Sequence, residues 1–120
     1  MKLVSSSFAD GQPIPGDFSF CIPDPAHHVC LGKNLNPHLA WSDVPTGTKS
    51  FVLICHDPDV PSRGDDVNQE DRTVPATLPR VDFFHWVLID LPENTTSIAE
   101  GEHSHEVTPN GKPGPDLPDG

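Results

Sequence analysis

Hydrophobic residues in this chain are concentrated in two runs that predict long, largely buried β-strands. The first run covers residues 51–57 and the second residues 83–91. Each is almost continuously apolar, as in strands that are covered on both faces. Shorter apolar stretches at residues 3–8, 17–21 and 39–41 predict weaker strands, because Gly and Pro turn signals separate them. The pattern predicts an all-β fold.

A polar turn, Asp57-Pro58-Asp59-Val60-Pro61-Ser62, follows the first strand. In one interpretation this is only a capped turn, because Asp side chains accept backbone hydrogen bonds and Pro fixes φ. In the other interpretation the turn belongs to a binding site, which needs a partner from a second strand. The second strand offers His85 among aromatic and aliphatic residues.

Side-chain alternation makes His85 the natural partner of Asp57. Asp57 shares a strand face with Phe51 and Leu53, because side chains alternate along a strand. His85 shares a face with Phe83 for the same reason. If these two faces point to one cavity, Asp57 and His85 meet there. A nearby carboxylate favours the charged imidazole, and that cation with backbone N–H groups suits a phosphate or carboxylate.

Two other functions use the same residues differently. A metal-assisted hydrolase would need His56, Asp57 and His85 around one cation, although His56 and Asp57 point to opposite faces of a regular strand. A purely structural or interaction protein would carry only a vestigial pocket, with His85 as a hydrogen-bonded core residue. We expect a non-catalytic protein with no metal site and no cofactor.

The charge of the chain limits its partners. The formal net charge is −11, from 18 acidic and 7 basic residues. Such a surface argues against nucleic-acid binding and against attraction to anionic membranes. No apolar stretch approaches the roughly 20 residues of a membrane-spanning helix, and no signal-peptide hydrophobic region is visible, so we expect a cytoplasmic protein without integral membrane association.

The three cysteines are Cys21, Cys30 and Cys55. An odd number fits a disulfide framework poorly. Cys21 and Cys30 could close a short loop in an oxidising compartment, whereas reduced thiols are expected in the cytoplasm.

The remaining segments predict one domain over residues 1–120 with an open architecture. Residues 23–38 are polar and read as a loop, and the connection from residue 58 to residue 80 is long enough to suggest a functional loop. Residues 93–120 contain few aliphatic side chains and predict a weakly structured end. Two strong strands are too few to close a sandwich, so either the domain is unusually open or the chain is part of a longer polypeptide.

Several motifs in order resemble one family. They are Asn36-Pro37-His38-Leu39-Ala40-Trp41, then Asp57-Pro58-Asp59-Val60-Pro61-Ser62, then Phe84-His85-Trp86-Val87-Leu88. Together they resemble the phosphatidylethanolamine-binding protein family, in particular its bacterial Raf-kinase-inhibitor-like branch. The resemblance covers residues 1–112 and corresponds to the amino-terminal two-thirds of the family domain.

The resemblance implies an antiparallel β-sandwich with a large central sheet, a smaller sheet and Greek-key links. It also implies a small pocket for an anionic or phosphorylated ligand such as a phosphoethanolamine head group. Asp57 and His85 would line that pocket, with Pro61 at its rim and Phe83 as an aromatic wall, while Asp59 would support the turn. Regulation of a protein partner, such as a kinase or a protease, is a further expectation.

Part of the family pattern has no counterpart here. The family continues with a Gly- and Pro-rich loop and a His-Arg-Tyr strand that finish the pocket, and neither is present in this sequence. We therefore expect about half of the pocket, completed by a second polypeptide. The sequence leaves the oligomeric state open, and a homodimer is one candidate because dimers are the commonest soluble assembly. Relatives carry a cis peptide that would fall near residues 81–82.

Overall fold

The computed structural model describes residues 1–110, which form antiparallel β-sheets and one 3₁₀ turn at Gly16–Phe18. The all-β fold class is confirmed. The seven strands are β1 (Lys2–Val4), β2 (Cys21–Asp24), β3 (His28–Leu31), β4 (Leu39–Ser42), β5 (Ser50–Pro61), β6 (Arg80–Pro92) and β7 (Ser97–Ile98).

These strands are arranged in three sheets. One sheet has the order β1-β4-β7, β2 pairs with β3, and β5 pairs with β6. The two strong strands of the sequence become β5 and β6, and both are longer than their apolar runs. In the described residues no helix is long and apolar enough to cross a bilayer.

The segment before β4 differs from expectation. The predicted strand at residues 17–21 is instead the 3₁₀ turn, and extended structure begins at Cys21. The predicted loop at residues 23–38 contains β3, which forms a hairpin with β2. The turn between them is stabilised by Asp24, whose Oδ1 accepts a hydrogen bond of 2.8 Å from the Ala26 N–H. The polar composition of this segment gave no sign of the hairpin, because none of its side chains is buried.

The hairpin register separates two of the cysteines. Cys21 lies opposite Leu31, and Cys30 lies opposite Ile22. Since opposite residues share a face and neighbours alternate, Cys21 and Cys30 point to opposite sides of the hairpin. All three cysteines are free thiols, so the loop-closing disulfide is not formed.

The core of the described chain is small. Its buried apolar side chains are Trp41 and Ile98, which are 8% and 2% exposed. The Trp41 ring packs on Phe51 with 5.4 Å between the ring centres. This contact joins the three-stranded sheet to the β5–β6 hairpin.

The end of the described chain is better anchored than its composition predicts. Ile98 lies in β7 opposite Leu39 and is the most buried apolar side chain. The buried side chain of Asn36 accepts hydrogen bonds from the His103 and Ser104 N–H groups at 2.8 and 3.0 Å. A weakly structured end was expected from residue 93, but these contacts order residues 97–104. The remainder of that prediction, residues 111–120, lies outside the described residues.

The expected cis peptide is not found. Every described peptide bond is trans, including those near residues 81–82. The antiparallel pairing of Val60 with Val81 is made by this trans backbone.

Candidate functional site

A β-bulge in the β5–β6 hairpin brings Asp57 and His85 to the same face. Ile54 lies opposite Val87, and Asp57 lies opposite Phe83. Between these two pairs β5 advances by three residues (54 to 57) and β6 by four (87 to 83). Strict alternation from the first pair would place Asp57 and His85 on opposite faces. The extra residue in β6 removes that mismatch, and bulges commonly re-aim side chains next to functional sites.

A second bulge restores the register on the other side of Asp57. From the Asp57–Phe83 pair to the Val60–Val81 pair, β5 advances by three residues and β6 by two. The extra residue is now in β5, where Pro58 cannot donate to the ladder. One bulge therefore lies on each side of the Asp57–Phe83 pair, the first in β6 and the second in β5.

Between the two bulges, the side chain of Asp57 makes two polar contacts. Its Oδ1 accepts a hydrogen bond of 2.8 Å from the Asp59 N–H, which closes a turn around Pro58. Its Oδ2 lies 3.4 Å from Nε2 of His85. The Asp59 N–H lowers the pKa of Asp57 most, partial burial opposes this by raising it, and His85 lowers it further. The carboxylate is therefore favoured over the protonated acid.

The imidazole of His85 is accessible and has an aromatic neighbour. Its side chain is 50% exposed, and that of Asp57 is 42% exposed. The Phe83 ring meets the His85 ring edge-on, with 4.9 Å between centres and an interplanar angle of 63°. The structure thus brings three of the predicted site residues together.

The other two predicted residues lie further along the hairpin. The carboxylate of Asp59 is 3.8 Å from Nε of Arg80, and Pro61 lies opposite Arg80 in the strand register. Asp59 contributes its backbone N–H to Asp57, while its side chain is 82% exposed. Arg80 was missed by sequence reasoning because it stands before the apolar run, although β6 begins at this residue.

His56 belongs to a separate pair. Its Nε2 is 2.9 Å from Oδ1 of Asp82, and its ring stacks on Phe84 at 5.1 Å with an angle of 24°. His56 therefore does not join Asp57 and His85 around one point. Within residues 1–110 no group of three His, Cys, Asp or Glu side chains is placed to hold a metal ion. The arrangement required by the metal-assisted alternative is not formed there.

The comparisons with known proteins agree with this fold. The sequence model of the family described as phosphatidylethanolamine-binding protein matches residues 4–116. The chain therefore belongs to the phosphatidylethanolamine-binding protein family.

Individual relatives give the same result. The UPF0098 protein YbhB of Escherichia coli is 35% identical over 106 residues, covering 84% of this chain and 50% of that protein. A UPF0098 protein of Aquifex aeolicus is 36% identical over 100 residues, covering 83% and 42% of the two chains. Among crystal structures, the phosphatidylethanolamine-binding protein homologue CT736 of Chlamydia trachomatis is 32% identical, with a TM-score of 0.56 over 82% of this chain and 50% of that one.

This chain spans about half the length of the curated relatives it matches. The described β5–β6 hairpin has no further strand beside it. Several of its apolar side chains are more than half exposed, and they are Val52, Ile54, Phe83, Phe84, Val87 and Ile89.

Proposed function

We propose that this chain is a non-catalytic binding module whose Asp57–His85 site takes a phosphate-type head group. The observation that carries the proposal is the 3.4 Å contact between the Asp57 carboxylate and Nε2 of His85. This contact occupies one nitrogen of the imidazole and leaves Nδ1 for a ligand. A protonated imidazole would donate from Nδ1 to a phosphate oxygen in a charge-assisted hydrogen bond.

The carboxylate beside the imidazole favours a zwitterionic ligand over a bare anion. An inorganic phosphate at this site would meet the negative charge of Asp57 as well as the imidazole of His85. A phosphoethanolamine head group carries an ammonium that can donate a hydrogen bond to the Asp57 carboxylate and a phosphate that His85 can bind. Charge complementarity therefore supports a head group of this class.

The proposal extends to regulation of a protein partner, such as a kinase or a protease. The site and the exposed apolar residues of the hairpin lie on the same two strands, β5 and β6. A ligand held at His85 would therefore lie next to a surface that suits protein contacts.

Isothermal titration with O-phosphoethanolamine tests the proposal. We expect saturable binding, and weaker binding of inorganic phosphate or ethanolamine alone. His85→Ala should weaken binding about tenfold or more, because hydrogen bonds to charged groups contribute about 1.5–3 kcal/mol.

His27→Ala is the matched control. His27 also forms a pair with an aspartate, since its Nδ1 is 3.5 Å from Oδ2 of Asp24, but it lies in the β2–β3 turn. Its replacement should leave the affinity unchanged within about twofold. Equal losses in His85→Ala and His27→Ala would show that binding follows general charge, and no binding to the unmodified chain would refute the proposal.

A further inference from the structure

Three consecutive serines that follow β1 bind the polar groups of His38. The Ser5 hydroxyl donates to the His38 carbonyl at 2.6 Å, and the His38 backbone N–H donates to the Ser7 hydroxyl oxygen at 2.9 Å. The Ser6 backbone N–H donates to Nδ1 of the His38 ring at 3.2 Å. These contacts join the chain that leaves β1 to the residue that precedes β4.

The contact with Ser6 fixes the protonation state of the His38 ring. A backbone N–H can only donate a hydrogen bond, so Nδ1 must carry a lone pair while this contact is made. The ring is therefore neutral, with its hydrogen on Nε2. A protonated ring would carry a hydrogen on both nitrogens, and its Nδ1–H would point at the Ser6 N–H. Because two donors that face each other repel, protonation breaks this contact.

The charged groups around this segment do not oppose protonation of His38. Glu100 accepts a hydrogen bond of 2.7 Å from the Ser7 hydroxyl, and its negative charge attracts a protonated ring. Lys2, in β1, lies opposite Ser42 at the far end of the strand pair. The neighbouring strands β4 and β7 contain no titratable side chain.

The strand next to these serines is weakly held. β1 is three residues long, all three are exposed, and in the described sheet it pairs with β4 alone. Segments with few buried contacts open at a lower free energy than the rest of a fold. The contacts of Ser5–Ser7 with His38 therefore carry much of the attachment of this end of the chain.

We propose that His38 is a pH-dependent switch that holds β1 closed when neutral and releases it when protonated. The charge of a histidine ordinarily changes between about pH 5 and 8. The contact with Ser6 is present at the upper end of this range and is lost as the pH falls and the ring becomes protonated. Leu3 of β1 lies opposite Trp41, so opening of β1 uncovers a residue that is 8% exposed in the closed form.

NMR spectra of the chain between about pH 8 and about pH 5 test the proposal. The Ser6 N–H resonance should shift with the same midpoint as the ring resonances of His38. Hydrogen-exchange protection factors of the β1 amides, which correct for the intrinsic effect of pH on exchange, should fall about fivefold or more, as the loss of about one net hydrogen bond predicts.

His38→Asn separates the switch from a merely structural role. The Asn Oδ1 can accept the Ser6 N–H but does not become protonated in this range, so protection of β1 should no longer depend on pH. His27→Asn is the matched control, because it also removes a histidine but lies in the β2–β3 turn, and it should leave the pH dependence unchanged.

Two results would overturn the proposal. One is a Ser6 N–H resonance that does not follow the titration of the His38 ring, which the unmodified chain decides even if His38→Asn does not fold. The other is an equal fall of β1 protection in the unmodified chain and in His38→Asn. The inference does not rest on the head-group site, because neither His38 nor the three serines lie in β5 or β6.

Discussion

Replacing Asn36 with alanine removes four side-chain hydrogen bonds from the centre of the fold. Its Nδ2 donates to the Ala99 carbonyl at 2.8 Å and to the Pro37 carbonyl at 3.1 Å. Its Oδ1 accepts from the His103 and Ser104 N–H groups at 2.8 and 3.0 Å. The side chain therefore fastens the loop after β7 to the residues that precede β4.

The expected loss follows from these four contacts. Each hydrogen bond contributes about 1 kcal/mol net, which gives about 4 kcal/mol for the set. Water can reach part of the freed loop, because His103 is exposed, and this reduces the loss. We expect Asn36→Ala to lower the free energy of unfolding by about 2–4 kcal/mol.

Urea denaturation followed by tryptophan fluorescence measures this change. The control is Asn94→Ala, because Asn94 is exposed and its side chain makes no hydrogen bond within the described chain. The control should change stability by about 0.5 kcal/mol or less. A loss of less than about 1 kcal/mol in Asn36→Ala, or equal losses in both variants, would refute the anchoring role.

Three further predictions concern packing and pH. Gly32→Ala should destabilise the chain by about 1–3 kcal/mol in thermal melts, because the added Cβ would overlap the Ser19 carbonyl oxygen. Gly64→Ala should be nearly neutral in the same melts, because a Cβ at that position meets nothing within 4 Å. Trp41→Ala should lower the free energy of unfolding in urea by about 3–5 kcal/mol, because it removes the ring contact between Trp41 and Phe51 in the core. The pKa of Asp57 is lowered below its ordinary value of 3.8 in the folded chain, so its stabilising contribution is present above that value and is lost as pH falls through the folded pKa. Asp57→Asn should therefore flatten the acid side of the stability–pH profile, and an unchanged slope would contradict this.

The main strands could be predicted because their apolar runs are continuous. Residues 51–57 and 83–91 appear within β5 and β6, and the short strand at residues 39–41 appears within β4. The ends of β5 and β6 were missed because polar residues and prolines continue the extended backbone there. Such residues are tolerated in a strand that has one partner and bulges.

The meeting of Asp57 and His85 was expected from alternation, but alternation alone does not produce it. The expectation required the faces of two strands to coincide, and only the register decides this. The extra residue in β6 between Val87 and Phe83 supplies the necessary shift. No residue in that segment marks the bulge in the sequence, since neither Gly nor Pro is present there.

The pattern of apolar and polar residues also could not predict the role of Asn36. Three of its four partners are backbone groups of residues 99–104, more than sixty positions away along the chain. A polar residue within a polar loop gives no sign that its side chain is buried.

The chemical shift of the His85 ring during titration with O-phosphoethanolamine shows whether the Asp57–His85 site binds this head group. The unmodified chain is titrated at constant pH and ionic strength, and the His27 ring is observed as the internal reference. We expect a saturable shift at His85 that Asp57→Asn weakens, with little change at His27. Unchanged His85 resonances, or parallel shifts of both rings, would contradict it.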